Sequence, residues 1–396
     1  MKKNKIGGCS QNLYAQFLYR ILLIKQQYNL TNTHIGIFCP TLFLSGSMFD
    51  KFRNVFLNEF SFNNAIQFKA SEFADCADSW AISFSFWDCG ETKDKNNFAY
   101  RCCETKDFEV NTICNKNVYN TDEYIKSNCW VKDILKHNKI IYPNLSSGIN
   151  VKNTDTPFIE NALGYITVYG NNIDQNISGV TIMSAPFSNG HGTYITDKNF
   201  YKVSSLFAAR KLIEKNWINS KDEYLAPDEA NPKFAQFAND SIVYSLFHTS
   251  SNQSSLRDVE YKDNLYSIKN EFFWMSKEDI IELANENGLD EVYQDARTSN
   301  ERYVYTKLQE TQLSPIAQKV LDKAVELTKK SFKYRQLFSE EHPEYQLDKC
   351  WDAGFYQLKA LWKEYMKDEF DDFRKLYKDF SDYLRPQVYE LGFLRQ

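Results

Sequence analysis

Cysteine is the residue type whose number and spacing first suggest chemistry in this chain. Nine cysteines occur among 396 residues. Five of them fall in one stretch of the sequence: Cys89, Cys102, Cys103, Cys114 and Cys129. Thiolates at short regular spacings bind zinc, but a Cys-x2-Cys pair does not occur among these five. Because the number is odd and the spacing irregular, we predict free thiols that are buried or lie in loops, with no metal site.

The five histidines form no catalytic arrangement in the sequence. His191 lies between two glycines in a predicted turn, His342 precedes a proline, and His34, His137 and His248 have apolar neighbours. The sequence contains no Ser/His/Asp order, zinc-protease helix or Walker loop. Motifs alone therefore assign no reaction.

Composition excludes some classes of protein. A chain with 43% hydrophobic residues can bury large cores, and its length suggests two or three domains. The net charge of −5 argues against a generally basic nucleic-acid-binding surface, although residues 1–60 carry a local excess of positive charge. The longest apolar stretch, residues 35–44, falls short of the ~20 residues of a membrane helix, and no apolar segment of a signal peptide is visible. We therefore expect a cytoplasmic protein without a membrane partner.

The first ninety residues alternate between predicted helices and strands. A helix beginning near Ser10 has Leu13, Phe17, Ile21, Ile24 and Tyr28 on one apolar face. Residues 35–38 are apolar on both faces, which is typical of a parallel strand covered by helices on each side. A second helix is predicted from residue 47, and further strands at 65–68 and 80–87.

The strand at 80–87 has one bulky and one small face. Ile82, Phe84 and Phe86 point one way, whereas Ser83 and Ser85 point the other. Such a strand lies beside a ligand cavity or beside a closely packed helix, and the packed helix is the commoner of the two.

The rest of the chain changes from a β-rich to a helical pattern. Residues 90–178 resemble a small β-rich insertion, followed by predicted strands at 180–183 and 241–247 and a helix at 200–216. Ser276 and Ser314-Pro315 are predicted helix starts. An apolar stripe at residues 358–384, ended by Arg385-Pro386, predicts helices that pack within the same molecule.

Several of these segments together resemble a known family. Five segments of the first ninety residues are similar to the post-catalytic motifs of bacterial N6-adenine DNA methyltransferases, the ones found in restriction-modification systems. They are Asn12-Leu-Tyr-Ala-Gln-Phe17, residues 38–46, residues 52–56, Lys69-Ala-Ser-Glu-Phe73 and residues 80–90. Six further segments resemble the region that these enzymes carry after the methyltransferase core. They are residues 199–200, 207–210, 216–219, 241–247, 270–275 and 351–356.

The resemblance implies an α/β fold, with a partial Rossmann-like methyltransferase sheet made of its later strands only. A mixed α+β recognition region and a helical C-terminal region would follow. The implied domains are residues 1–100, the C-terminal half of the core; 101–300, a DNA-recognition-like region; and 301–396, the helical region. The implied cofactor is S-adenosylmethionine, and the implied partner is DNA.

The chain departs from the family in the parts that perform the reaction. The family's glycine-rich cofactor loop and its Asn-Pro-Pro-Tyr loop are absent from this sequence. The string Asn231-Pro232-Lys233-Phe234 matches the Asn-Pro-Pro-Tyr loop only in part, and it follows the core motifs instead of preceding them. The resemblance therefore names no catalytic residue and implies a truncated or split chain, inactive alone, which needs a separately encoded N-terminal half. The alternatives are a DNA-binding specificity module without catalysis and an inactive gene remnant.

Four residues are candidates for the walls of the reaction site by this resemblance. Phe86 would stack on the flipped base, Pro40 would shape the cofactor side, and Tyr14 and Phe17 would border it. The alternative interpretation of each is a core aromatic residue or a turn proline.

Overall fold

The computed structural model describes residues 6–133, 136–187, 190–289 and 293–395. It contains a five-stranded sheet in the N-terminal part, a four-stranded sheet and two hairpins in the middle, and helices in the C-terminal part. The expected mixed α/β fold with a helical C-terminal region is therefore confirmed. Within these residues, no helix combines the length and the apolar character needed to cross a membrane.

The N-terminal part consists of three helices and five strands. The helices are α1 (Leu13–Gln27), α2 (Leu42–Ser45) and α3 (Asp50–Leu57). The strands are β1 (Ile35–Cys39), β2 (Phe60–Lys69), β3 (Ala81–Cys89), β4 (Asn97–Lys106) and β5 (Glu109–Tyr119). The boundary predicted at residue 100 thus falls inside β4.

The five strands lie in the order β1-β3-β2-β4-β5. β3 is antiparallel to both of its neighbours, with Cys39 opposite Ser83 and Lys69 opposite Ala81. β1 and β2 consequently run in the same direction, with β3 inserted between them. β4 pairs parallel with β2 and antiparallel with β5, so β1 and β5 are the edges of the sheet.

Among the described residues, the helices of the N-terminal part cover one face of this sheet. Leu18 of α1 and Phe52 of α3 belong to a buried cluster that includes Trp87 of β3. This is the face of Ser83 and Ser85, and the Trp87 Nε1–H donates to Ser85 Oγ at 2.9 Å. The small side chains of β3 therefore face the helices. The expectation that β1 has parallel neighbours and helices on both sides is wrong for the described residues, because its hydrogen-bonded neighbour is antiparallel and its other face is open.

The middle part carries two long hairpins and a second sheet. Its helices are α4 (Ser127–Trp130), α5 (Phe200–Leu212) and α6 (Phe234–Phe247). Its strands are β6 (Lys139–Ser147), β7 (Asn150–Ile159), β8 (Gly164–Val168), β9 (Val180–Met183), β10 (Gly192–Ile195), β11 (Ser251–Asn252), β12 (Leu256–Tyr261) and β13 (Asn264–Ile268). The sheet has the order β10-β8-β9-β11, while β6-β7 and β12-β13 are separate pairs.

The C-terminal part is helical, as expected. Its helices are α7 (Lys277–Glu286), α8 (Gln294–Thr298), α9 (Tyr303–Glu310), α10 (Pro315–Glu341), α11 (Phe355–Tyr365), α12 (Lys367–Leu384) and α13 (Gln387–Glu390). Both predicted caps are confirmed, because Ser276 Oγ accepts from the Asp279 N–H at 3.1 Å and Ser314 Oγ accepts from the Ala317 N–H at 3.3 Å. The apolar stripe at 358–384 is divided between α11 and α12.

One hydrophobic core extends through the middle and C-terminal parts. It contains residues from Trp130 to Leu394, so the boundary predicted at residue 300 does not separate two cores. The strand predicted at 241–247 is wrong, because these residues form the end of α6. The physical reason is burial: every residue from Ser241 to Phe247 is buried, so the segment lacks the polar face that marks a surface helix.

A buried carboxylate joins the two parts of this core. Asp352, which is fully buried, forms ion pairs with Arg302 at 2.8 Å and with Arg257 at 3.0 Å. Ser255 Oγ donates to the same carboxylate at 2.7 Å. Burial opposes ionisation of this group, but Arg302 and Arg257 hold the pKa of Asp352 below its ordinary value. The pairing therefore keeps the buried carboxylate charged.

Replacing Asp352 by asparagine is expected to destabilise the protein by about 3–5 kcal/mol, because two guanidinium groups lose their buried counter-charge. The free energy of unfolding from a urea titration measures the effect. Asp295→Asn is the matched control, since Asp295 pairs with the same Arg257 at 2.9 Å from a partly exposed position and is expected to contribute about 0–1 kcal/mol. Equal losses in both variants would contradict the assignment.

Candidate functional site

The carboxyl ends of β1 and β2 are the place where this sheet can form a ligand site. In open α/β sheets, ligands bind beyond the carboxyl ends of strands that run in the same direction. β1 and β2 run in the same direction and end beside each other, with Cys39 and Lys69 both opposite the start of β3. Pro40 follows the first of these ends, and Phe73 follows the second after one turn of 3-10 helix, Ala70–Glu72.

An aromatic surface leads from this end across the sheet. We call it the open face and define it by Gly36, Phe38, Ile66, Phe84 and Phe86, whose register places them on the side away from α1 and α3. The rings of Phe38 and Phe84 are 4.5 Å apart, and those of Phe84 and Phe86 are 5.0 Å apart. Phe38 is 51% exposed and Phe86 is 44% exposed, so the described residues cover this surface only in part.

Gly36 has a local role in shaping the open face. A side chain at this position would meet the Phe84 ring at 3.1 Å and the Phe86 ring at 3.5 Å. The absence of a Cβ therefore lets both rings lie over the edge strand.

The predicted residues of α1 lie on two kinds of surface. Tyr14 is half-buried and stacks on Phe49 with ring centroids 5.8 Å apart. Burial raises the pKa of Tyr14. Phe17, one turn later, is 59% exposed. The apolar face predicted for this helix is largely exposed, because the residues packed on the sheet are Ala15, Leu18, Tyr19 and Leu22.

Pro40 lies where the sequence placed it, directly after β1 and half-buried. The preceding carbonyl is fixed, because Ser83 Oγ donates to Cys39 O at 2.6 Å. Pro40 thus marks the corner of the sheet at the carboxyl end of β1, whereas Phe17 is exposed on α1.

Phe86 lies away from that corner. It is opposite Gly36, whereas Ser83 is opposite Cys39, so Phe86 is roughly 10 Å along the strand from the carboxyl end of β1 at about 3.3 Å per residue. The reason is the antiparallel insertion of β3, which places the end of β3 beside the start of β1. The structure therefore does not bring the four predicted residues together.

Two aromatic residues at the carboxyl ends were missed in the sequence. Phe73 and Trp80 are each 55% exposed, and the Phe73 ring lies 5.6 Å from Phe38 and 5.5 Å from Phe68. The sequence did contain a signal for Phe73. This residue lies just after a predicted strand, at the end of the string Lys69-Ala-Ser-Glu-Phe73 that resembles the family. Neighbouring Glu72 is engaged, since it accepts from the Thr105 N–H at 3.0 Å. This end of the sheet offers stacking surfaces rather than an acid–base pair.

Comparisons of the chain with protein-family models, with curated proteins and with solved structures found no match. The functional assignment therefore depends on the geometry of this sheet and on the sequence motifs.

Removing an open-face ring is expected to leave the stability of the fold nearly unchanged. Phe86→Ser should change the free energy of unfolding by about 0.5 kcal/mol or less and reduce binding of a hydrophobic dye, because the ring is exposed. Its neighbour provides the contrast: Trp87 is fully buried on the helix side, and Trp87→Ala should cost about 3–5 kcal/mol. Urea titration and dye fluorescence measure both effects. A large loss of stability in Phe86→Ser would show that the open face is a covered core.

Proposed function

We propose that this chain is the C-terminal part of an adenine-specific DNA methyltransferase that uses S-adenosylmethionine. In this proposal the chain contributes the last strands of the methyltransferase sheet, a DNA-recognition part and a helical part. The cofactor-binding and base-binding loops come from a front half that docks on β1 and on the open face. The observation that carries the proposal is the strand order β1-β3-β2 with its free edge at β1.

The strand directions support this proposal. The resemblance implies that β1, β2 and β3 are later strands of a methyltransferase sheet. β1 and β2 run in the same direction, as strands of such an α/β sheet do, and β3 follows both in the chain and lies antiparallel between them. β1 would then be the strand next to the missing centre of the sheet.

The exposed surfaces support the same conclusion. Doubly wound sheets carry helices on both faces, whereas α1 and α3 cover one face here. The uncovered side presents Phe38, Phe84 and Phe86, and α1 adds the exposed Leu13 and Phe17. Exposed apolar patches of this kind mark interaction sites. A front half with its own strand and helices would pair with β1 and cover these side chains.

The chemistry divides between the two halves. The lone pair of adenine N6 is delocalised into the ring, so the reaction requires acceptors on the amino group and alignment with the methyl donor. The Asn-Pro-Pro-Tyr loop that supplies these acceptors in the family is absent from this sequence. In this proposal the chain contributes walls of the site: Phe73 stacks on an extruded base, Pro40 shapes the cofactor side, and Tyr14 and Phe17 border it. S-adenosylmethionine would supply the methyl group. The apolar residues named here would contact one side of this cofactor, and the front half would contact the other.

A second candidate function, a DNA-binding module without catalysis, is favoured by the hairpin of β4 and β5. Its turn holds Asp107 and Phe108 at positive φ, and the Phe108 side chain is completely exposed at the tip. DNA-bending proteins insert apolar side chains of this kind between base steps. Steep loss of DNA affinity with salt, without dependence on cofactor, would distinguish this function.

Docking of the front half is tested by co-expression with the reading frame that carries the glycine-rich loop and the Asn-Pro-Pro-Tyr loop. We expect a stable complex that methylates adenine in DNA, measured by transfer of labelled methyl groups. Phe38→Asp should weaken the complex at least about tenfold, because it places a charge on the apolar contact. Phe108→Asp is the matched control, since it makes the same change at an exposed ring on the hairpin. Full cofactor affinity and methyl transfer by the chain alone would contradict the proposal.

Stacking by Phe73 makes a separate prediction. In the assembled enzyme, Phe73→Ala should lower kcat/KM by about 5- to 150-fold, the equivalent of one lost aromatic–base contact. Assembly with the front half should be unchanged. Phe86→Ala, at the other end of the sheet, removes part of the docking surface, but at a saturating concentration of the front half it should leave methylation rates within about twofold. The assignment of the base site would be wrong if the Phe86 variant were the impaired one.

A further inference from the structure

A second candidate site lies in the C-terminal half, far along the chain from the open face. A cavity of about 380 Å³ is bounded by the end of α5, by α6, by α11 and by α12. This volume lies within the range of about 300–1,000 Å³ that is typical of small-molecule sites. All of the residues that line it follow residue 210, so the inference below does not depend on the methyltransferase proposal.

The charged side chains that line the cavity are predominantly basic. Five are cationic: Lys211, Lys359, Arg374, Lys378 and Arg385. Among the described residues, Glu214 is the acidic side chain in the lining. Two of the cations are neutralised locally, because Arg374 pairs with Asp371 at 3.2 Å and Arg385 pairs with Asp382 at 2.6 Å.

The two inner lysines have only uncharged partners among the described residues. Lys211 Nζ donates to the carbonyl oxygens of Asn176 and Ile177 at 2.5 and 3.0 Å, and Lys359 Nζ donates to Thr249 O at 3.3 Å. Burial, with a contribution from Arg210, lowers the pKa of Lys211 to about 8. Burial also lowers the pKa of Lys359. A bound anion would compensate both ammonium groups.

His248 adds a neutral donor to the same cavity. Burial, followed by the charges of Lys211 and Lys359, lowers the pKa of His248 to about 3. Its Nδ1 accepts from the Ser250 N–H at 3.0 Å. A neutral imidazole that accepts at Nδ1 carries its proton on Nε2, which is then a hydrogen-bond donor.

The remaining walls are aromatic. Phe355 and Phe373 are buried at the base of the cavity, while Phe370 and Tyr377 are half-buried and reach its surface. Flat rings beside ammonium groups bind nucleotides, since a base stacks on the rings and the phosphate meets the cations.

We propose that this cavity binds a nucleotide, with its phosphate between Lys211 and Lys359 and its base against Phe370 and Tyr377. The same chemistry is presented by a free mononucleotide and by one unit of a nucleic-acid strand. The cavity would thus give the helical part a ligand site of its own.

Calorimetric titration of the full chain with AMP, with adenosine and with inorganic phosphate tests the proposal. We expect AMP to bind at least about tenfold more tightly than either fragment, because both the phosphate and the ring are bound. Adenosine that binds as tightly as AMP, or phosphate that does so, would overturn the proposal.

A fluorescent single-stranded oligonucleotide identifies the source of the bound nucleotide. Displacement of the strand by AMP indicates that the cavity binds one unit of a nucleic acid, whereas binding of AMP without binding of the strand indicates a free nucleotide. Absence of saturable binding in both arms would overturn the proposal.

Charge-removing variants locate the binding. Lys211→Gln and Lys359→Gln should each weaken AMP binding about tenfold, the effect of losing one charged hydrogen bond. Lys363→Gln is the matched control, because Lys363 lies one turn later on α11, is exposed and does not line the cavity. If Lys211→Gln does not fold by circular dichroism, Lys378→Gln at the exposed rim takes its place. Unchanged binding in the folded cavity variants, or an equal loss in the control, would contradict the assignment.

Discussion

The aromatic face of the N-terminal sheet, which no described helix covers, is the feature that decides how this part of the molecule can be stabilised. Burial of apolar surface stabilises proteins by about 25 cal/mol per Å², so Phe38 and Phe86, which are about half exposed, gain less stability than buried rings would. Edge strands and apolar patches also favour association with other chains. In the proposed complex, the front half would pair with the edge strand β1 and cover the exposed rings and the exposed side of α1.

The other side of the same sheet is firmly attached to the rest of the molecule. The Arg53 Nε–H donates to Asp122 at 3.0 Å, Gln67 donates to the carbonyl oxygen of Trp217 at 3.1 Å, and Lys116 pairs with Asp222 at 2.6 Å. These contacts fix the sheet from its helix side and from β5. The open face is therefore held in place by contacts that do not involve it, which is the arrangement expected of a preformed docking surface.

Much of the fold could be predicted from local signals, and the site could not. The Ser314-Pro315 start of α10 was predictable because a cap depends on neighbouring residues only. The segment 241–247 was not, because a helix buried on all sides has no polar face. Phe86 was misplaced for a topological reason: the direction of β3 decides which of its ends meets Pro40, and a single sequence does not encode that direction locally. Phe73 was overlooked although its position just after a predicted strand was visible in the sequence.

Hydrogen–deuterium exchange of the β1 amides measures the central claim most directly, because pairing of an edge strand protects amides that otherwise face solvent. The exchange of residues 35–39 is compared for the chain alone and for the chain with its front half, with the edge strand β5 as internal reference. We predict strong additional protection in β1 and none in β5. Formation of a complex with unchanged exchange in β1 would contradict the claim that this strand is the junction between the two halves.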